Sequence, residues 1–574
     1  MHSAGPNTSG EDHAVIGDLH TAALVSRYGS IDWLCLPRFD SPACLTAFSD
    51  GDHSGAWRIA PAAGGPATRR RYRGETLIVE SEWDTPDGTV RLVDCMPPRD
   101  GAARVVRIVE GVAGRVTMRM LLRLRLADGH RTPWLRHAGS DLVAAAGPDA
   151  FELRTDVPLV DLAGATRAEF SVAAGDRVSF LLTHHPSHVE RPARVDAVRA
   201  VAATEAFWSE WVARTTYRGA WPAAVRRALV TVKALTYAPT GGVVSSVTAT
   251  LALHADTADH RDCRLRDATA TLQALVDTGH VDEARAWREW LVRTLAGEPV
   301  TPKSRYTLDG VPCYHEGIDW PAAGGEVLTA LHRTDHMTSP HPHRVDDVQR
   351  SLLEHLEGSW DQPDNSLWDL RGPRQHHVHS KVMAWAGLDR AVRTVERHGM
   401  PGPVDRWRAL RAQIRAEVCG KGYDPQRNTF THYYGSHEVD AALLLLPRVG
   451  FLPWRDTRIR GTVDAVRTEL SRDGLLLRHR TGTVDERPWL AANFWLADAL
   501  HGIGRTPEAT ALFERLLALR NDVGLLAEEY VTGRDQTGEG PSAASAVALV
   551  NTALWLRTPA GVTRSTAKHS TDMH

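Results

Sequence analysis

Trp368, Asp369 and Arg371 stand within four positions of one another, in the stretch PDNSLWDLRGPRQHHVHSKVMAWAGLDR (363–390). A carboxyl beside an indole and a guanidinium suits acid chemistry on a polyol. The indole offers a flat apolar platform to a sugar ring, and a partly desolvated carboxyl keeps its proton toward neutral pH. The same types also fit a capping Asp, a core Trp and a surface Arg. The first half of the stretch is turn-rich, from Pro363, Asp364, Asn365 and Ser366 to Gly372 and Pro373. The second half places Val382, Trp385, Ala386 and Leu388 at helix spacing. A loop entering a helix is therefore the element expected to position Asp369.

The rest of the chain must supply that loop with a scaffold. At 574 residues it is too long for one ordinary core and predicts several domains. From Ile16 to about Phe180, short apolar runs are broken by Gly, Pro and Asp, the pattern of an antiparallel β-sandwich. Met118, Met120, Leu122, Leu124 and Leu126 alternate onto one face. The segment Val172 to Thr183 reads as a hairpin around Gly175. A polar break at 186–192 precedes a predicted linker helix over 195–212. Helix patterns then dominate, at 225–235, 268–278, 281–295, 344–356, 381–397, 404–419, 439–446, 458–470, 494–501 and 507–519. The expected domains are a β-sandwich over 1–192, a linker helix within 193–221, an all-α domain over 222–560 and a disordered tail over 561–574. Amphipathic helices joined by alternately short and long loops suggest an α-toroid. Its concave pocket would draw aromatics from Trp320, Trp360, Trp368, Trp489 and Trp495.

WDLRG followed by HSKVMAWAGLDR resembles the W-E-x-R-G … H-S-K-x-M-x-W-x-x-L-D-R signature of glycoside hydrolase family 15, the glucoamylase and trehalase type. Residues 16–44, LTYAPTGGVV (235–244), RLRDA (264–268) and GLLAEEY (524–530) resemble further motifs in the family's order, so the resemblance spans nearly the whole chain. It implies an (α/α)6 barrel after the β-sandwich, with Asp369 as general acid and Glu528 as general base. It also implies sugar contacts from Arg266 and Asp267, with Glu529 beside them and Trp368 and Arg371 around the acid. Read without the resemblance, Arg266–Asp267 is a salt-bridged helix start and Glu528–Glu529 a solvated loop.

Departures from the family pattern cluster. The family acid is Glu, whereas Asp369 is shorter by one methylene. The aromatic run R-x-W-D-Y-R-Y-x-W-L-R-D becomes DTADHRDCRLRD (256–267): Asp259, Arg261, Leu265, Arg266 and Asp267 survive, and Ala258, His260, Asp262 and Arg264 replace the aromatics, leaving Asp259, His260, Asp262 and Arg264 as unusual polar groups of the pocket. The L-P-E, G-Y-x-x-S-x-P-V-R-x-G-N and N-F-P-Q-A-F-S-H motifs are lost. Scaffold motifs survive where sugar-gripping ones erode, so the expectation is a retained fold with a remodelled pocket.

Three functions follow. The first is inverting acid/base hydrolysis of an α-glucoside, trehalose or an α-glucan oligosaccharide. The second is another acid/base reaction on the same scaffold, a dehydration, elimination or cyclisation in specialised-metabolite biosynthesis. The third is non-catalytic sugar binding. A formal net charge of −3 gives no argument for nucleic acid or a membrane surface. No run of about eighteen apolar residues predicts a membrane span. The polar start MHSAGPNTSGEDH and six scattered cysteines suit a reduced, cytoplasmic protein. The 28 histidines join no carboxylate or thiol at a metal-ligand spacing, so no metal and no cofactor is expected. The expected partner is a small-molecule substrate, and self-association is left open.

Overall fold

The computed structural model describes residues 13–48, 54–138, 141–162, 164–248, 261–297, 302–313, 320–398, 402–480, 487–530 and 540–559. Asp259, His260 and the tail 561–574 lie outside the described residues.

The first part of the chain is sheet-rich. Fifteen strands, from His13–Gly17 to Arg177–Pro186, pair antiparallel in one hydrogen-bonded network. The strand Ala103–Arg123 runs for 21 residues and is its spine. Its first half pairs with Gly88–Cys95 and Arg177–Pro186, and its second half with Ala56–Pro61 and Ala165–Ala173. The alternation read from the sequence is real: Met118, Met120, Leu122, Leu124 and Leu126 are all buried. The predicted hairpin around Gly175 does not form. The strands on either side of that turn pair with different halves of the spine instead. The crossover needs Gly111, where a Cβ would lie 1.9 Å from the Ala173 carbonyl oxygen.

The helix Ala197–Ala213 joins the two parts. Asp196 caps it by accepting from the Arg199 N–H at 2.8 Å. Its Ala200 and Val201 pack with Val93, Val106 and Ile108 of the sheet. Its Trp211 faces the other way, donating to Glu283 at 2.6 Å and stacking on His280.

The second part is helical. Most predicted helices lie within a few residues of where the spacing put them, for example Val281–Thr294, Val404–Lys421 and Thr506–Ala518. Two were not predicted, Ala323–Arg333 and Ala543–Trp555. Ala543–Trp555 is buried on nearly every side, so no polar face marks its period, whereas Ala323–Arg333 is short and opens on the poor helix formers Gly324 and Gly325. The predicted helix over 439–446 is a 3₁₀ segment, Ala441–Leu445, cut short by Pro447. Ala268–Asp277 packs on Ala323–Arg333, which packs on Val378–His398. That helix packs on Ala441–Leu445, then come Leu490–Gly502 and Ala543–Trp555, which returns to Ala268–Asp277. Close approach within this ring depends on Gly325, where a Cβ would lie 2.1 Å from the Met383 carbonyl oxygen. No described helix is long and apolar enough to cross a membrane.

In the sheet, Arg107 and Asp94 are fully buried. Arg107 Nε donates to Asp94 Oδ1 at 2.7 Å, and its Nη2 donates to Asp94 Oδ2 at 3.2 Å and to the Gly29 carbonyl at 2.8 Å. Arg107→Met leaves Asp94 uncompensated and is expected to cost about 3–5 kcal/mol, while the double change Arg107→Met, Asp94→Leu costs less than the single one. Denaturant unfolding of the two variants checks this.

Candidate active site

Among the described residues that the sequence singled out for chemistry, Arg266 and Asp267 sit at the start of a ring helix, and the others lie in stretches that lead into ring elements. Asp267 is the cap residue of Ala268–Asp277, Asp440 of Ala441–Leu445 and Trp489 of Leu490–Gly502. Trp368 and Asp369 lie in the loop that enters Val378–His398. Glu528 precedes Ala543–Trp555, whose cap Ser542 donates through its N–H to the Leu526 carbonyl. Helix N-termini carry unpaired N–H groups and a positive dipole end, which favour carboxylates.

The loop carrying Asp369 is fixed by the helix it enters. Asp364 Oδ1 accepts from the Ser366 N–H at 2.7 Å and from Ser380 Oγ at 3.0 Å. Lys381 Nζ donates to the Gln362 carbonyl. Asn365 Nδ2 donates to the Leu370 carbonyl at 2.8 Å, closing the turn around Asp369. Asp369 itself has φ +55°, in the left-handed region. Asp visits that region more readily than Glu, because its short side chain hydrogen-bonds locally. The change from the family's Glu therefore coincides with a backbone conformation that suits Asp.

A line of alternating charges crosses the site. Asp369 Oδ2 accepts from Arg305 Nε at 3.0 Å. Arg305 Nη1 also donates to Asp262 Oδ2 at 3.4 Å. Asp262 Oδ1 lies 3.5 Å from Arg264 Nε, and Arg264 Nη1 lies 3.7 Å from Glu528 Oε1. Arg266 Nη2 donates to the same Glu528 oxygen at 3.4 Å, and its Nε to Asp267 Oδ2 at 3.5 Å. Trp489 Nε1 donates to Glu528 Oε1 at 3.1 Å. The two candidate carboxyls, Asp369 and Glu528, thus share one network. Their side chains are 10% and 9% exposed.

Burial pushes Asp267 up and Arg266 down, each toward its neutral form, against their mutual attraction. For Arg264 burial acts downward, but Asp262 and then Glu528 outweigh it and raise the guanidinium above its ordinary value. Glu529 is raised by burial; it accepts from Arg478 Nη2 at 2.5 Å and is bridged through its backbone to Trp489.

Three of the five pocket tryptophans come together. Trp368 meets Trp489 edge-on at 5.2 Å and Trp495 at 6.0 Å, and Arg266 lies over the Trp489 ring at 5.1 Å. Trp320 and Trp360 are buried without ring contact to these three among the described residues. Arg371 is exposed, two residues past the acid on the returning loop. Sequence reasoning missed Arg305 and Asp440. Arg305 belongs to no motif, and only its strand pairing with Arg264 brings it in. Asp440 accepts from Trp368 Nε1 at 2.7 Å and from the Ala442 N–H at 2.6 Å, with His432 Nε2 3.1 Å from it. It holds the indole next to Asp369.

Burial raises Asp440 to about 6. A carboxyl raised in the fold stabilises it most at low pH, and that contribution is lost as pH rises from about 4 through about 6. The melting temperature of the wild type relative to Asp440→Asn is therefore expected to fall across that window and to stay level above it.

The chain is similar to known proteins over nearly its whole length. Glycosyl hydrolases family 15 matches residues 222–312 and 321–554, and a trehalase-like N-terminal family matches residues 4–142. The trehalase of Mycobacterium tuberculosis is 30% identical over 94% of this chain and 88% of its own length. The trehalase of Thermoplasma acidophilum is 27% identical over 92% of this chain and 97% of its own. A bacterial glucoamylase complexed with acarbose superposes with a TM-score of 0.75 at 11% identity, over 96% of this chain and 94% of that one, which shows a common fold. The chain belongs to glycosyl hydrolases family 15.

Proposed function

We propose that this protein hydrolyses trehalose or a related α-glucoside with inversion at the anomeric carbon, using Asp369 as general acid and Glu528 as general base. The observation that carries this reading is the single buried network joining the two carboxyls at converging helix ends. It is supported by 30% identity to a trehalase over 94% of the chain.

In the reaction, the Asp369 O–H bond breaks and its proton goes to the glycosidic oxygen as the bond from C1 to that oxygen breaks. A water on the opposite face forms the new C1–O bond and gives its proton to Glu528. Arg266 and Asp267 hold hydroxyls of the terminal sugar, with Trp368 and Trp489 as walls. The scaffold is an (α/α)6 toroid. The ring order of the six inner elements supports this, as do their outer partners Pro222–Ala234, Val281–Thr294, Pro342–Ser359, Val404–Lys421, Thr457–Glu469 and Thr506–Ala518. On this reading the sheet-rich domain is 1–192, the linker lies within 193–221 and the catalytic domain is 222–560. The six cysteines are free, which supports a reducing, cytoplasmic setting. Neither the elimination or cyclisation reading nor the sugar-binding one draws support from the relatives.

Purified protein is expected to release glucose from trehalose, with α- and β-glucose first appearing in equal amounts by proton NMR, one from the departing sugar and one from the inverted carbon. Glu528→Gln is expected to lower the rate by about 10²–10⁴-fold. Its melting temperature should fall by only a few degrees, since Arg264 keeps Asp262 and Arg266 keeps Asp267. No glucose from trehalose, maltose, isomaltose or starch would remove the reading.

A further inference from the structure

Arg305 lies outside every motif, yet it touches the candidate acid. It sits in the short strand Arg305–Tyr306, paired with Cys263–Arg264 so that Arg305 lies opposite Arg264. That strand is pinned in the core. Tyr306 is buried edge-on to Trp290, and its hydroxyl accepts from the Lys303 N–H at 2.8 Å. Two residues on, the Leu308 carbonyl accepts from Trp290 Nε1 and from Thr240 Oγ1, both at 2.8 Å. The backbone therefore delivers the guanidinium from a rigid base.

The guanidinium lies between two carboxylates, with Nε on Asp369 Oδ2 and Nη1 on Asp262 Oδ2. Asp369 Oδ1 is buried and accepts no hydrogen bond among the described residues. An arginine only donates, so the oxygen it touches cannot present a proton to it. When Asp369 is protonated, the proton must reside on Oδ1. We propose that Arg305 is a positioning residue that holds Oδ2 of Asp369 and so leaves Oδ1 as the one oxygen that carries and delivers the proton to the leaving group. The inference rests on the assignment of Asp369 as general acid.

Two consequences follow from the same geometry. As the proton leaves Asp369, negative charge develops on a carboxylate that already has a guanidinium in place, so that charge meets a preorganised partner. Asp262, on the other side of Arg305, keeps the guanidinium aligned and shares its charge, with Arg264 beyond it linking Asp262 to Glu528. An aspartate is a methylene shorter than a glutamate, so the direction of its single proton-bearing oxygen counts for more.

The leaving group provides the test. Hydrolysis of trehalose needs a proton on the departing oxygen, whereas α-glucosyl fluoride departs as fluoride and needs no acid. Arg305→Met is expected to lower kcat on trehalose by about 10²-fold, with KM and the rate on glucosyl fluoride little changed. Asp369→Asn should show the same selective loss, and Glu528→Gln should lose both substrates. Arg305→Lys, which keeps a charge without the planar fork, should recover part of the trehalose rate. It also carries the test should the methionine variant fail to fold, through a smaller loss confined to trehalose. Equal losses on both substrates, or no loss on trehalose, would overturn the role of Arg305 while leaving the acid and base assignments standing. A wild type inactive on both substrates would remove the hydrolase reading and this one with it.

Discussion

Seven charged side chains alternate in sign along one largely buried line: Asp369, Arg305, Asp262, Arg264, Glu528, Arg266 and Asp267. Each interior member compensates two neighbours. A lone buried charge is costly, and removing one member leaves those beside it with one partner fewer. The line therefore constrains everything around it. Its members come from four separate stretches of the sequence, and the contact from Arg266 to Glu528 alone spans 262 residues. The fold has to bring all of them to one place together.

It does so through the ends of its helices. Asp267, Asp440 and Trp489 are cap residues of three ring elements, so orphan N–H groups and dipole ends lie beside the Asp267 and Asp440 carboxylates. Glu326 extends this pattern. Its carboxyl accepts from the Thr269 N–H at 3.0 Å, and burial raises it to about 7. The surviving scaffold motif acts on the same region. Ser380 and Lys381 tie down the loop that carries Asp369. Further along the helix, Asp389 pairs with Arg390, Arg393 and Arg411. The motif thus anchors the loop that carries Asp369.

The departures from the family pattern acquire a physical meaning in this setting. Arg264 and Asp262 stand where the family pattern has aromatics, and both are members of the charged line. They replace a flat platform with a network that links acid to base. Trp368, Trp489 and Trp495 remain as the apolar wall. The left-handed backbone at Asp369 makes the shorter acid the better fit to its turn. A shorter acid in turn needs an outside group to aim it, and Arg305 stands within hydrogen-bond reach.

Much of this was legible in the chain itself. Period-two alternation over 118–126 marked a core face of the sheet, and 3.6-residue spacing marked most amphipathic helices, because one-sided burial leaves a periodic trace. The turn residues ahead of Trp368 marked the loop that bears the acid. The helix Ala543–Trp555, buried on nearly every side, left no such trace, and the turn at Gly175 looked like a hairpin because local pattern cannot show which distant strand is the partner. Residue types and motif order pointed to Asp369, Glu528, Arg266 and Asp267. Only the tertiary structure brought Arg305 to Asp369 and Asp440 to Trp368, since both contacts join segments with no common period or motif. Sequence determined which groups could do acid and base chemistry; packing decided which partner holds each carboxyl, because that depends on distances between residues that only folding sets.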